Sequence, residues 1–429
     1  MLRHKAVSTI FGVAALAMLS ATSASLAQDV TLTLLFNNDP ATVKMIDQLI
    51  ADFEAKNPGI TIETELRPAG GEGDNIVKTR LATGDMTDIF LHNSGSLFQA
   101  INPQQNLVPL TNEPMAANLL DSFKVTVTAG GDFYGAPIGT AQSGAVLYNK
   151  KLYAELGLSV PRSWSEFMAN NEKVKAAGKT AVIQTFKDTW SSQLFVLADF
   201  FNVSAAEPDF AARYTANQAK YATDAAARKG FERQEEVFKA GYLNADFASA
   251  SFADGLRMLA TAEGAHYPML TGALPTIASD YPDMVNDIGV FPLPGDSADS
   301  NGLTIWLPNA LYIPKTSQHI DEAKKFLAFL SSVDGCDSQT KAVGAAGPYV
   351  VKGCTLPETV LPAVAEMVQY FDDPARNSPA LEFLSPIKGP SLEQITVEVG
   401  SGIRSAADGA ALYDEDVKKQ AQQLGLPGW

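Results

Sequence analysis

The fold is decided by one stretch, Phe133-Tyr-Gly-Ala-Pro-Ile-Gly-Thr-Ala-Gln-Ser-Gly-Ala-Val-Leu-Tyr-Asn-Lys-Lys-Leu-Tyr-Ala-Glu-Leu-Gly-Leu-Ser-Val-Pro-Arg-Ser-Trp-Ser-Glu-Phe-Met168. Glycine and proline interrupt its extended first part as far as Gly139, and residues 145–148 then have the apolar pattern of a strand. A short helix is predicted over residues 150–156, and Ser163-Trp-Ser-Glu166 has the capping-box spacing that opens a second helix. Two rigid units joined by such a strip are compatible with a hinge or with an ordinary loop, and the stretch alone leaves both open.

The residues before this stretch predict a βαβ unit. Val30–Phe36 and Ile60–Leu66 are strand-like, and Asp39-Pro40 between them is an N-cap followed by proline at the first helical position. This order predicts a parallel sheet with a right-handed crossover. A third strand, Ile89–Leu91, ends in the small polar loop 92–96, and such loops at the carboxyl ends of parallel strands are where open α/β sheets bind ligands.

Three landmarks then occur in a fixed order: Tyr148-Asn-Lys150, Pro161-x-x-Trp164 and Val290-Phe-Pro-Leu-Pro-Gly295. With them the chain resembles extracellular solute-binding protein family 1, the maltose-binding-protein-like, sugar-binding components of carbohydrate ABC importers. The resemblance covers nearly the whole chain after residue 27. Thr87 stands where the family usually has proline, which is a small departure.

The resemblance implies an α/β protein with the two-lobed periplasmic-binding-protein type II fold. Each lobe is expected to hold a mostly parallel sheet flanked by helices, with a hinge of two or three crossing segments. We expect a signal peptide at 1–27, a first lobe of 28–141 plus 308–338, and a second lobe of 142–307 plus 339–429. The crossings are expected near 139–143, 306–309 and 336–347.

The N-terminus has the pattern of a secretory signal. Basic residues 3–5 precede the apolar run 6–19, and small residues lead to Ala27, the expected cleavage position. The apolar run is shorter than the ~20 residues that span a bilayer. Export compartments are oxidising, which favours a disulfide between the two cysteines, Cys336 and Cys354, with two free thiols as the alternative.

Composition and motifs argue against several classes of function. A formal net charge of −16 disfavours nucleic acid and anionic membrane surfaces as partners. The sequence contains no HExxH, GxSxG or Cys-x-x-Cys pattern, so neither a metal centre, an acyl-transfer nucleophile nor a redox pair is indicated. A pair of glycosidase carboxylates has no local motif, although 48 acidic residues leave it open. We expect no cofactor and no catalysis.

Sugars present neutral hydroxyls and C–H faces, so a sugar site needs aromatic surfaces and polar side chains. His92 is as compatible with a satisfied loop histidine as with a ligand donor, whereas Trp190 between Thr189 and Ser191 is unusual for a core position. The ligand-binding candidates are Asn37, Asn38, Glu72, His92, Asn93 and Ser94 on the first lobe, Gln142, Ser143, Trp190, Gln193, His266 and Tyr349 on the second, and Trp306 and Asn309 at a crossing.

The sequence therefore predicts a periplasmic, monomeric substrate-binding protein of an ABC importer. It would capture a sugar or oligosaccharide between its lobes by hinge closure and deliver it to membrane permease subunits with an associated ATPase. A charged small solute, such as a polyamine, ferric ion or anion, is the alternative ligand. A secreted carbohydrate-active enzyme is a more distant alternative.

Overall fold

The computed structural model describes Met1, residues 29–358 and residues 360–429. The predicted signal peptide, apart from Met1, lies outside the described residues. The strands, in chain order, are β1 (Val30–Asn37), β2 (Ile60–Arg67), β3 (Ile89–His92), β4 (Thr128–Ala129), β5 (Asp132–Phe133), β6 (Gly135–Ile138), β7 (Gln142–Asn149), β8 (Thr180–Val182), β9 (Gly264–Leu270), β10 (Ile288–Phe291), β11 (Leu303–Trp306), β12 (Asn309–Tyr312) and β13 (Asn377–Pro379).

Helices flank these strands along the whole described chain. They are α1 (Pro40–Lys56), α2 (Gly70–Thr83), α3 (Ser96–Gln99), α4 (Pro103–Asn106), α5 (Asp121–Lys124), α6 (Lys150–Leu156), α7 (Trp164–Ala176), α8 (Leu194–Leu197), α9 (Phe200–Ala206), α10 (Phe210–Thr215), α11 (Ala225–Lys239), α12 (Phe252–Ala260), α13 (Leu274–Asp280), α14 (Ile320–Leu330), α15 (Val333–Val343), α16 (Pro362–Phe371), α17 (Leu381–Leu384), α18 (Leu392–Gly400) and α19 (Ala406–Gln423). None of the described helices is both long and apolar enough to cross a bilayer.

Local sequence signals set several of these boundaries. Asp39 caps α1 by accepting a hydrogen bond from the Thr42 amide, and proline follows at the first helical position. Helix α7 opens on the predicted capping box, in which Ser163 and Glu166 satisfy each other's backbone amides. Helix α6 ends at Gly157 in the left-handed conformation, so its length also agrees with the sequence.

Two separate sheets form the two lobes. The first has the order β2-β1-β3-β12-β6, and the second has the order β13-β11-β7-β9-β8, with β10 also pairing with β7. The pairings make β12 run against the rest of the first sheet and β7 against the rest of the second. Each of these two strands enters its sheet directly from the other lobe. The predicted two-lobed α/β fold with mostly parallel sheets is confirmed.

In the part of the chain that the structure describes, the passages between the lobes fall at three places. Residues 139–141 connect β6 to β7, and residues 307–308 connect β11 to β12. The third passage lies between Leu356, which packs against the first core, and Val360, which packs against the second. It therefore differs from the predicted position at 336–347. We propose that the first lobe extends to about residue 358, instead of ending at residue 338.

The packing explains this difference. Cys336, Ala345, Tyr349, Val350 and Val351 all pack in the first core, so the chain is still in the first lobe at residue 351.

In the second lobe, successive residues of β7 point to opposite faces of the sheet, as strand geometry requires. Two of the second lobe's apolar clusters therefore lie on either side of β7, and a further cluster joins its C-terminal helices.

The predicted disulfide is present. Cys336 and Cys354 are bonded, with their Cα atoms 6.2 Å apart. This separation lies within the usual range for disulfides. The bond joins the first turn of α15 to the segment that precedes the third passage.

Candidate ligand-binding site

A cavity of about 320 Å³ lies between the two lobes. Its first wall is built at the carboxyl ends of β1, β2 and β3, where parallel α/β sheets bind ligands. Its second wall comes from the second lobe, and the passages at 139–141 and 307–308 form part of its lining. Both lobes and the connections between them therefore contribute to one site.

A second cavity, of about 670 Å³, lies at the opposite end of the second sheet. Its lining includes Asn377, the first residue of β13, and belongs to the second lobe alone. The cavity between the lobes is the one that hinge motion would open and close.

The first wall carries polar groups at strand ends. Asn37 ends β1, and Asn93 follows β3 directly. Asp39 and Thr42 lie in the first turn of α1, where Asp39 already accepts hydrogen bonds from Thr42. Asp74 on α2 completes the polar set. These amide and carboxylate groups can accept hydrogen bonds from ligand hydroxyls.

Arg67 is a buried cation in the same wall. It is 4% exposed, and its guanidinium donates to the carbonyl oxygens of Pro68 (3.0 Å) and Leu91 (3.1 Å). Burial lowers the pKa of Arg67, while the charge of Asp74 acts in the opposite direction. The Arg67 Nε donor has no hydrogen-bond partner among the described residues. A buried donor without a partner is costly, and this atom has almost no accessible surface, so it is a cost of burying the guanidinium and not a contact open to a ligand.

The second wall supplies aromatic surface. Trp190 packs against Phe252, with ring centroids 5.2 Å apart and planes at 55°. Trp306 is 7% exposed, and its indole nitrogen donates to Glu382. Its ring lies on Gly144, where a Cβ atom would come within 2.6 Å of the ring. The missing side chain of Gly144 therefore makes room for Trp306 at the end of β11.

Gln193 adds an unsatisfied acceptor to this wall. It is 4% exposed, and its amide nitrogen donates to the Trp190 carbonyl at 3.1 Å. Its Oε1 atom is buried without a hydrogen-bond partner among the described residues. This acceptor and the Arg67 Nε donor have almost no accessible surface, so neither atom is open to a ligand in this closed form.

Charged side chains line the cavity with an excess of carboxylates. Lys388 Nζ lies 3.2 Å from Glu382 Oε2, so this pair is mutually compensated. Glu393 accepts a hydrogen bond from the Thr189 hydroxyl at 2.8 Å. With Asp39 and Asp74 on the opposite wall, four carboxylates face two cations. The site favours neutral or cationic ligands over anions.

The two lobes contact each other at the edge of the cavity. The Gly71 amide, in the first turn of α2, lies 3.5 Å from Glu393 Oε2. Gly70 lies against Trp190, since a Cβ atom at Gly70 would be 3.2 Å from the Trp190 Cβ. A Cβ atom at Gly95 would lie 2.5 Å from the Glu382 carbonyl oxygen. The lobes are therefore closed over the cavity in this structure.

The structure brings many of the predicted site residues together. Asn37, Asn93, Gln142, Trp190, Gln193, Trp306, Asn309 and Tyr349 all line the cavity. Asn38 and Glu72 are exposed and lie outside its lining. Ser94 is buried and donates to the Pro308 carbonyl at 2.8 Å, so it fixes the second passage instead of facing the cavity.

Three further predictions are corrected by the structure. His92 is fully buried, with its ring nitrogens near Asp74 (3.5 Å) and the Leu97 carbonyl (3.3 Å), and burial lowers its pKa. Ser143 is fully buried on the face of β7 opposite to Gln142. His266 is also fully buried, and Tyr153 and the Ala181 carbonyl satisfy its two ring nitrogens. These three side chains are structural.

Sequence reasoning missed several lining residues. Glu382, Lys388 and Glu393 come from the C-terminal segment, which carries no local motif for a ligand site. The pattern around Asp39 indicates only a helix cap, and that around Arg67 only the end of a strand. The position of Arg67 at the carboxyl end of a parallel strand is nevertheless a signal that could have identified it.

The model of the bacterial extracellular solute-binding protein family matches residues 39–335, and the chain belongs to that family. Membership places it among exported proteins. The multiple sugar-binding protein of Streptococcus mutans is 25% identical over 324 residues, which are 74% of this chain and 74% of that protein.

Solved structures share the fold. A chitin oligosaccharide binding protein has a TM-score of 0.79 at 20% identity, covering 92% of this chain and 99% of its own. RafE in complex with raffinose has a TM-score of 0.74 at 20% identity, covering 92% and 99%. The apo form of RafE from Streptococcus pneumoniae has a TM-score of 0.64 at 20% identity, covering 93% and 98%.

Proposed function

We propose that this protein is the periplasmic substrate-binding protein of an ABC importer and that it captures a neutral sugar between its lobes. The observation that carries the proposal is the cavity between the lobes, where the aromatic rings of Trp190 and Trp306 lie beside the side-chain amides of Asn37, Asn93 and Gln142. A hydroxyl group both donates and accepts hydrogen bonds, so the hydroxyls of a sugar can pair with both the oxygen and the nitrogen of these amides.

The aromatic side chains support the same ligand class. Trp190, Trp306 and Tyr349 offer apolar ring surface to the cavity, and C–H faces of sugar rings can pack on it. The amides of Asn37, Asn93 and other lining residues can fix the hydroxyls around such a ring. The name of the Streptococcus mutans relative, a multiple sugar-binding protein, points in the same direction.

The charge of the lining decides between the ligand classes. Its excess of carboxylates repels phosphate, sulfate and sugar acids. The same excess favours a polyamine as the second candidate, since protonated amines would pair with the carboxylates. A polyamine, however, has no acceptor for the side-chain amide donors of the lining, such as those of Asn37, Asn93 and Gln142, whereas a sugar hydroxyl both donates and accepts.

The cavity volume limits the part of the ligand that is enclosed. About 320 Å³ lies at the lower end of the ~300–1,000 Å³ found for small-molecule sites. We propose that the cavity encloses a monosaccharide or disaccharide unit. Any further units of a longer oligosaccharide would leave the cavity at its mouth.

Binding would proceed by hinge closure. The passages at 139–141 and 307–308 are the points about which the lobes turn, and closure in such proteins is a known rigid-body motion. A ligand favours the closed form only through contacts that the open form lacks. The closed protein would then dock on permease subunits driven by an ATPase, as a monomer and without chemical change to the sugar.

A panel of ligands tests this proposal. Purified protein would be screened by thermal shift and calorimetry against raffinose, galactose and diacetylchitobiose, with glucuronate, putrescine and phosphate as the charged set. We expect a neutral sugar to raise Tm and to bind with saturation, while the anions do not. Saturable binding of putrescine alone, or of phosphate alone, would contradict a sugar ligand. Chromatography of the sugar after long incubation would reveal any turnover.

A further inference from the structure

The disulfide closes a loop whose middle forms part of the cavity. Cys336 lies in the first turn of α15, and Cys354 follows 18 residues later. We call residues 344–353, between α15 and Cys354, the strap. Gln339 on α15 and Tyr349 on the strap both line the cavity, as do Val343, Gly344 and Ala346.

The same loop holds the first passage between the lobes. The Gly139 amide donates to Gln339 Oε1 at 2.6 Å. Two residues on, the Ala141 amide donates to the Pro348 carbonyl at 2.8 Å. Gly347 lies so close to this passage that a Cβ atom there would be 2.2 Å from the Ala141 carbonyl oxygen. Helix α15 is thus hydrogen-bonded to one end of residues 139–141, and the strap is hydrogen-bonded to the other end.

Internal hydrogen bonds of the loop depend on the position of Cys336. The Tyr349 hydroxyl donates to the Cys336 carbonyl at 3.2 Å and is also paired with the Thr340 hydroxyl. Gln339 is oriented by its own bond to the Gly335 carbonyl at 3.2 Å. The far end of the strap is held to residues 118–120 by two backbone bonds, from Lys352 to Asn118 and from Leu120 to Val350.

We propose that the Cys336–Cys354 disulfide is a positioning element for both the hinge and the ligand cavity. The bond fixes the strap against α15, and this arrangement sets the place of the first passage and of Tyr349. Without the bond, the loop gains conformational freedom, by an amount that grows with the logarithm of its length. The hydrogen bonds that hold residues 139–141 then weaken, and the closed lobes lose part of their alignment. The consequence for sugar affinity rests on the function proposed above, whereas the consequence for the hinge does not.

Hydrogen exchange of the ligand-free protein tests the hinge part directly. The variant Cys336→Ala combined with Cys354→Ser removes the bond without leaving a reactive thiol. The amides of Gly139 and Ala141 donate the two hydrogen bonds that hold the first passage, and we expect these amides to exchange at least about tenfold faster in this variant. Ile60→Ala serves as the control, since Ile60 packs in the first core at the start of β2, the end away from the cavity. It should leave these two amides at the wild-type exchange rate.

Calorimetry tests the affinity part. With raffinose, or the panel sugar that raises the wild-type Tm most, we expect the double variant to bind about threefold more weakly or worse. Ile60→Ala should bind as the wild type does. Wild-type exchange at Gly139 and Ala141 in the double variant would overturn the proposal, and so would faster exchange with unchanged sugar affinity. If no sugar binds the wild type, the function proposed above fails, while the exchange result still decides the role of the disulfide in the hinge.

Discussion

Replacing Trp190 with alanine removes the exposed aromatic surface of the second wall. The indole packs on Phe252 on one side and approaches Gly70 of the first lobe on another. Its remaining surface faces the cavity. Trp190→Ala should therefore weaken the ligand's apolar contact and the closure contact between the lobes, and both effects reduce affinity.

The size of the loss can be estimated from area. A sugar ring that covers one face of the indole buries roughly 60–80 Å² of it, worth about 1.5–2 kcal/mol at ~25 cal/mol per Å². Each ~1.4 kcal/mol is a factor of ten in affinity, so Kd should rise by about tenfold to thirtyfold. Trp190 is only half-buried in the free protein. We therefore expect the free energy of unfolding to fall by about 2 kcal/mol, less than the ~3–5 kcal/mol of a fully buried tryptophan.

Calorimetry with the best sugar of the panel measures this effect, and denaturant unfolding gives the stability change. Trp429→Ala is the matched control, because Trp429 is also half-buried but packs under Lys220 in the C-terminal cluster, away from the cavity. The control should keep the wild-type Kd. A Trp190→Ala protein that is folded and binds within twofold of the wild type would refute the role assigned to this ring.

Three other substitutions test separate parts of the structure. Gly144→Ala places a methyl group against Trp306, so we expect a loss of ~1–3 kcal/mol in denaturant unfolding, together with weaker sugar binding; unchanged stability would contradict the packing described. Glu393→Gln removes a carboxylate from the Gly71 amide at the start of α2, a contact worth ~0.3–1 kcal/mol. The sugar should therefore dissociate about twofold to fivefold faster, as measured by stopped-flow fluorescence. An unchanged dissociation rate would exclude a closure contact. Burial lowers the pKa of His266 to about 3, so below pH 6.5 the unfolded chain takes up a proton that the folded protein does not. The free energy of unfolding should therefore fall by about 2 kcal/mol from pH 8 to pH 5 through this group. Denaturant unfolding of His266→Gln across this pH range should lack that slope.

Local signals in the sequence predict helix ends, whereas the two-lobed architecture is implied by the family resemblance. The N-cap at Asp39, the capping box at Ser163 and the stop at Gly157 set helix ends that the structure reproduces. The third passage is misplaced by sequence reasoning because it depends on packing. Tyr349 and its neighbours pack in the first core, and no residue pattern near Cys336 predicts that packing.

The site errors follow from strand geometry. Side chains alternate across a strand, so neighbouring residues point to opposite faces of the sheet. Gln142 lines the cavity and Ser143 does not, and Asn93 lines it where His92 does not. His266 fails for a different reason, since it lies four residues before the cavity end of β9, which is roughly 13 Å along a strand. Alternation and strand direction are both readable from the sequence, and together they separate the lining residues from these three.

The two walls of the cavity have different chemistry, and this difference suggests how binding is ordered. The second wall supplies the tryptophan surfaces, which a sugar can cover while the cleft is open, because stacking needs only one partner surface. The first wall supplies the amides of Asn37 and Asn93 and the carboxylates of Asp39 and Asp74, whose hydrogen bonds require the sugar to be held at a fixed distance. For a sugar that binds first on the second wall, those bonds form only on closure, so they are then the contacts that distinguish the closed form from the open one. The energy that holds the lobes together around the ligand should therefore come mainly from the first wall, while recognition of the sugar face begins on the second.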